Sequence, residues 1–268
     1  KISIPASKEQ ILKTQSLYPG YTSDTADYFD TVLNIDLNRE YLMKNEMMIL
    51  DLISTNNWER PIYITSIGSR NTMGLDNYFH NEGFAFRLMP VNKKAKAPEG
   101  IGNNDINTDV MYENLMNKYS WGNLNDPNVY IDPTITRTMN IVKIRANFGD
   151  LAKSLIKEGK TEEAKKVMAR CEEVMPTSLY PIDLFDCHYV EAYYMLGMGE
   201  TADKILKEGA DIADQELTYF STLDRYQRAA NNTEIQMCLA TIQYVLQIFD
   251  ENQREELFQT YYSVFFNH

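Results

Sequence analysis

From residue 141 onward the apolar positions recur with helical spacing. Ile141, Ile144, Phe148, Leu151, Ala152 and Leu155 form one stripe that Gly159 ends. Ala164, Val167, Met168 and Cys171 form a second, closed by Pro176. Ile235, Cys238, Leu239, Ile242, Val245, Leu246 and Phe249 form another, and Leu257, Tyr261 and Phe265 carry the pattern to the last helix. Side chains three and four residues apart share one face of a helix, so this stretch predicts a series of amphipathic helices. Before residue 92 the pattern is shorter in wavelength. Lys1–Ile4 and Thr31–Leu37 read as strands, with a turn at Tyr18-Pro19-Gly20-Tyr21 between them. Residues 38–55 read as a helix whose apolar stripe is Leu42, Met43, Met47, Leu50 and Ile53, stopped by Asn56-Asn57. Pro61–Ser66 and Phe84–Val91 read as strands, Leu75–His80 as a short helix, and Gly83 as a turn. Residues 92–133 are rich in turn formers such as Lys93–Gly100, with a short helix over Met111–Tyr119. The fold class is therefore α+β: a small α+β unit with a loop-rich end over residues 1–133, then an α-helical hairpin array over residues 134–268.

Composition narrows the function classes. The 268 residues are 44% hydrophobic and 24% charged, a globular balance that excludes a disordered chain. Net charge is −12, which repels phosphate backbones and anionic lipid surfaces and argues against nucleic acid as a partner. Tyrosine is over-used, 18 against 2 tryptophans, and such amphipathic rings suit helix seams and binding faces. The sequence has no apolar run long enough to span a bilayer and no signal-peptide pattern. It opens Lys1-Ile2-Ser3-Ile4-Pro5 without a methionine, as an excised fragment would.

Little in the chain has catalytic or metal-ligand spacing. Cys171, Cys187 and Cys238 form neither a disulfide framework nor a CxxC site and read as buried free thiols. His80, His188 and His268 lie at no metal-binding spacing from one another and read as structural. Nucleophile-elbow, phosphate-loop and dinucleotide fingerprints are missing, so no cofactor is expected. Asp105-Ile106-Asn107-Thr108-Asp109 starts like a calcium loop, but Val110 stands where glycine is needed and Met116 where glutamate is needed. The most distinctive polar cluster is Asn56-Asn57-Trp58-Glu59-Arg60-Pro61 with Asp76, Glu82 and Arg87. Two carboxylates could act as acid and base. The simpler reading has Arg60 and Arg87, at or within strands, pairing with carboxylates to hold elements together.

The helical half contains a repeat. With Ala164 opening a second helix, Leu151-Ala152, Leu155, Met168 and Pro176 fall where the 34-residue tetratricopeptide pattern has its Leu-Gly, Tyr, Phe and Pro, and Phe148 takes the tryptophan's place. A second copy places Tyr193, the turn Gly197-Met198-Gly199, Ala202 and Leu206 in the same roles, its second helix running on through Leu217 and Phe220. Residues 233–267 read as a third, degenerate hairpin or cap. A single hairpin cannot bury its own face, so these must stack.

Other strings carry a second resemblance. Asn57-Trp58-Glu59-Arg60-Pro61-Ile62-Tyr63-Ile64 is followed by Gly74-Leu75-Asp76-Asn77-Tyr78, Glu82-Gly83 and Arg87-Leu88-Met89-Pro90-Val91, then Trp121-Gly122-Asn123 and Tyr130-Ile131-Asp132. This order resembles the C-terminal tail of domain-of-unknown-function family 2723, large bacterial multi-pass membrane proteins similar to lipid-sugar-dependent protein O-mannosyltransferases. The resemblance implies that transmembrane helices precede Lys1 and that this tail faces water on the periplasmic side of the inner membrane. It also implies that the catalytic acid lies elsewhere, so no catalytic residue is carried over. The first reading is a non-catalytic interaction or support domain whose partners are an acceptor protein, a partner subunit or the rest of the same protein. Tyr189, Tyr193, Tyr194 and Phe148 are its candidate face residues, although packing between helices accounts for them about as well, and Trp121 joins Asn57, Trp58, Arg60, Asp76, Glu82 and Arg87 in a possible binding or structural motif. The alternatives are a free-standing repeat adaptor that binds a peptide and a sugar-acting enzyme that uses Asp76 and Glu82.

Overall fold

The computed structural model describes residues 2–14, 30–35, 41–67, 72–91, 106–132 and 141–266. The expected turn at residues 18–21, the loop at 93–100 and the first acidic residue of the calcium-like loop lie outside them. The chain divides into two compact units, Lys1–Tyr119 and Ser120–His268.

The first unit is α+β. Strands β1 (Ile2–Pro5) and β2 (Val32–Ile35) pair antiparallel with Ile2 opposite Ile35 and Ile4 opposite Leu33. Ser7 caps the short helix α1 (Lys8–Lys13) between them, its hydroxyl accepting from the Gln10 amide. Helix α2 (Lys44–Thr55) follows, then a three-stranded antiparallel sheet of β3 (Tyr63–Ile64), β4 (Phe79–Asn81) and β5 (Phe86–Leu88), in the order β3-β5-β4. Ile4, Ile11, Leu33, Ile35, Ile53, Trp58, Leu75, Phe79, Leu88 and Val91 belong to one buried core. Helix α3 (Thr108–Glu113), capped by Asn107, runs on into a single π turn over Asn114–Lys118.

Three local expectations change here. The segment read as a helix over residues 75–80 is a 3-10 turn over Asp76–Tyr78 and then a strand, because His80 pairs opposite Arg87 on β5. The strand read over residues 84–91 pairs only at Phe86–Leu88; Gly83 takes φ 114° before it, and Pro90 after it has no N–H to donate. On α2 the expected buried stripe is divided. Ile53 is buried and Leu50 half-buried, but Met43 and Met47 are 55% and 59% exposed.

The second unit is helical. Helices α4 (Val142–Lys157) and α5 (Thr161–Val174) form a hairpin on the predicted stripes, with Phe148, Leu151, Ala152, Ala164, Val167 and Cys171 buried. A 3-10 turn (Cys187–Val190) leads into α6 (Glu191–Met195), which turns into the long α7 (Gly199–Ser221). Short α8 (Arg225–Ala230) precedes α9 (Asn232–Glu251) and α10 (Glu255–Phe266). Sequence periodicity passes over α8, which has no buried residue and stands on a capping box, Asp224 accepting from the Gln227 amide and Gln227 returning a bond. Three corners share one backbone device. The amides of Lys160, Met198 and Arg254 reach back to the carbonyls of Leu155, Tyr193 and Phe249, with Gly159, Gly197 and Gln253 at φ 77°, 73° and 58°. That is the Schellman closure, which satisfies the last carbonyls of a helix. Among the described residues no helix is long and apolar enough to cross a membrane.

Candidate functional site

The polar cluster singled out in the sequence forms around β3, β4 and β5. Strand register sets Tyr63 directly opposite Arg87, and Glu82 lies just past the end of β4. The Arg87 guanidinium reaches Glu82 Oε2 at 3.0 Å and donates to the Tyr63 hydroxyl, which in turn donates to Glu82 Oε2 at 3.1 Å. It also covers the Tyr63 ring, 4.9 Å from the centroid. The Glu82 main chain is held as firmly: its carbonyl accepts from Asn114 Nδ2 at 2.9 Å and Tyr119 Oη at 3.3 Å, and its amide donates to Ala85 O. The Phe84 ring stacks on Tyr119 at 4.3 Å. Glu82 and Arg87 are only 3% and 8% exposed. Burial pushes the Glu82 carboxyl up, against the pull of the Arg87 charge. Burial likewise raises the Tyr63 phenol, and the Glu82 charge adds to it.

Asp76 is engaged elsewhere: its Oδ1 accepts from Thr72 Oγ1 at 2.8 Å in the turn before β4. The Asn57-Trp58 step is a tight corner. Both residues are left-handed, φ 47° and 59°, and the corner drops the Trp58 ring into the core, 5% exposed. Left-handed backbone costs an L-residue roughly 1–2 kcal/mol, so Trp58 holds it only because its burial more than repays that cost. Thr14 Oγ1 donates to the Trp58 carbonyl, and Asn56 Nδ2 to the Arg60 carbonyl, fixing the corner on both sides. Asn57, Glu59 and Arg60 are exposed. Beside them run two adjoining clefts of about 380 and 730 Å³ that share Leu52, Ile62 and Tyr63; Asp51, Asn56, Glu59 and Arg60 line the larger.

In the helical unit the aromatic candidates pack inward. Phe148, Tyr189 and Tyr193 are buried, the two tyrosine hydroxyls 3.0 Å apart with their rings edge to face. Burial pushes the Tyr193 phenol up to about 12 and Tyr189 well above its usual value. Trp121 lies 5.4 Å from Phe148, ring to ring. Tyr194 Oη donates to Asp203 at 2.5 Å. These contacts make the first three residues parts of a core and not of an open binding face. Cys171, Cys187 and Cys238 are buried free thiols.

The residues that the sequence reading passed over are Tyr63, Arg145 and Asp186. Tyr63 stood in a recognised string, yet only strand register shows it facing Arg87. Among the described residues no group of His, Cys, Asp and Glu is arranged to hold a metal.

A search of curated proteins and a search of solved structures return no match to the chain. Residues 1–110 match the family model TMEM260-associated domain 2, a domain associated with membrane proteins, and this similarity, which covers most of the α+β unit and none of the helical one, points to a domain of a membrane protein.

Proposed function

We propose that the chain is a non-catalytic, extracytoplasmic interaction and support domain of a multi-pass membrane protein resembling the O-mannosyltransferase-type glycosyltransferases. The observation that carries this reading is the closure of Glu82, Arg87 and Tyr63 on one another. A general acid or base must reach a substrate proton. Here the carboxylate is buried and paired, and the other candidate carboxylate, Asp76, is bonded to Thr72 on a separate turn. The most distinctive strings of the sequence thus act as a frame for the small sheet. The match of residues 1–110 to a membrane-protein-associated domain supports the same reading. We read the α4–α5 hairpin as tetratricopeptide-like, an architecture whose stacked hairpins serve as docking scaffolds. Phe148, Tyr189 and Tyr193, the face residues first offered for this reading, are buried, so docking falls to other, exposed positions of the helical unit.

The test uses the full-length protein. Asp76→Ala and Glu82→Gln are assayed for sugar transfer, and the separate chain is tested for retention by the detergent-solubilised remainder. Unchanged turnover with retention supports a support domain. Lost turnover in folded variants, without retention, overturns it in favour of chemistry at Asp76 and Glu82.

A further inference from the structure

Helix α2 is apolar on two faces. Ile49, Leu50 and Ile53 turn toward the core with Glu46, whose carboxylate bonds the Met43 amide at 2.8 Å and caps the helix. On the other side Met43, Met47, Met48 and Leu52 are 55, 59, 64 and 53% exposed. Lys44 and Asp51 are exposed as well, and neither side chain has a partner among the described residues. Seven residues apart, these two fall within about 20° of each other around the helix. They mark the midline of the outer face, with Met47 and Met48 on either side and Met43 and Leu52 at its edges.

This face is self-complementary about the midpoint between Met47 and Met48. Lay a second α2 antiparallel across a two-fold axis at that point. Met47 then meets Met48, Met43 meets Leu52, and Lys44 meets Asp51, each contact occurring twice. A parallel arrangement would set Lys44 on Lys44 and Asp51 on Asp51, which repel. Tyr63, 44% exposed, lines one cleft with Met48 and Leu52 and extends the same apolar surface. A contiguous exposed apolar patch of this kind marks an interaction surface on a soluble protein.

We propose that the outer face of α2 is a homodimer interface, and that its partner is α2 of a second copy, antiparallel, with reciprocal Lys44–Asp51 pairs around a methionine seam. The interface is isologous, as closed two-fold assemblies require. This proposal goes beyond the support-domain reading and does not depend on it.

Sedimentation velocity on the whole chain, across a dilution series, tests it by charge exchange. Lys44→Glu sets two acidic side chains opposite each other and Asp51→Lys two basic ones. Each single variant is expected to weaken self-association by about tenfold or more. The double variant Lys44→Glu/Asp51→Lys restores the opposite charges and should recover it. Both positions are exposed, so circular dichroism should show the fold intact in all three. A chain that stays monomeric at high micromolar concentration, a dimer indifferent to the single exchanges, or a double variant that fails to recover would each overturn the proposal.

Discussion

Arg145 Nη1 sits 2.6 Å from Asp186 Oδ2 with both side chains 1% exposed. Its Nη2 donates to the Met175 carbonyl at 3.2 Å, and its guanidinium lies 5.8 Å from the centre of the Tyr189 ring. One ion pair thus ties helix α4 to the turn after α5 and to the segment that enters α6. Burial pushes the Asp186 carboxyl up while the Arg145 charge draws it back. Losing one partner strands a buried charge at a cost of about 3–5 kcal/mol, whereas replacing both with apolar groups is often neutral. Arg145→Met and Asp186→Leu should each lower the urea midpoint strongly, and the double variant Arg145→Met/Asp186→Leu should cost clearly less than their sum. Additive losses would mean that the two residues act independently.

That pair also marks the limit of what the sequence discloses. The helices were legible because each stripe, such as Ile144-Phe148-Leu151-Leu155, has a single buried face. Corners at Gly159 and Gly197 announced themselves by residue type; Gln253 makes the same corner with no such signal. On α2 two apolar faces compete, so periodicity alone could not choose between Ile49-Ile53 and Met43-Met47. Arg145 and Asp186 are 41 residues apart, and Asp186 lies in a segment without helical pattern. Only the lone arginine beside Ile144 on a buried stripe hints at a partner. At the candidate site, the motif strings located Glu82 and Arg87, but Tyr63 became their partner through strand register that no local pattern sets.

Glu82 yields a pH prediction. Because burial outweighs the Arg87 attraction, its carboxyl is higher in the folded chain than in the unfolded one. Between the two values the folded state holds a proton that the unfolded state has lost. Stability from this group is therefore full below the unfolded value near 4.5 and is lost as pH rises through the folded one. Glu82→Gln has no such titration. Urea unfolding of both forms from acid to neutral pH should show wild type gaining on Glu82→Gln as pH falls. The opposite trend would mean that the ion pair with Arg87 dominates.

Two helical glycines should respond differently to alanine. A Cβ on Gly149 would lie 2.9 Å from the Tyr189 Cα, so α4 and the 3-10 turn would have to separate. Alanine's propensity gain of about 1 kcal/mol is set against an overpacking cost of roughly 1–3 kcal/mol. At Gly199 the Cβ would meet the tip of the Arg254 guanidinium, the far end of a long side chain, so what yields there is the partly exposed Arg254–Asp203 pair and not two backbones. Gly149→Ala should thus lower the melting temperature while Gly199→Ala leaves it nearly unchanged. Equal effects would place the close approach elsewhere than at Tyr189.

Gln253 closes helix α9 with φ 58°, and its amide and that of Arg254 bond back to Asp250 and Phe249. Gly159 and Gly197 make the same closure without a Cβ. An L-residue in this conformation pays roughly 1–2 kcal/mol, and glycine gives back about 0.5–1 kcal/mol through its freer unfolded chain. Gln253→Gly should therefore stabilise the helical unit by about 0.5–1 kcal/mol, read as a higher urea midpoint with unchanged slope. The same glycine at Gln243, inside α9 and with negative φ, has only the penalty and should destabilise. The sign difference between the two positions isolates backbone conformation, because both glutamines are exposed on their outer sides. A loss at Gln253 would show that its left-handed corner is not held in solution.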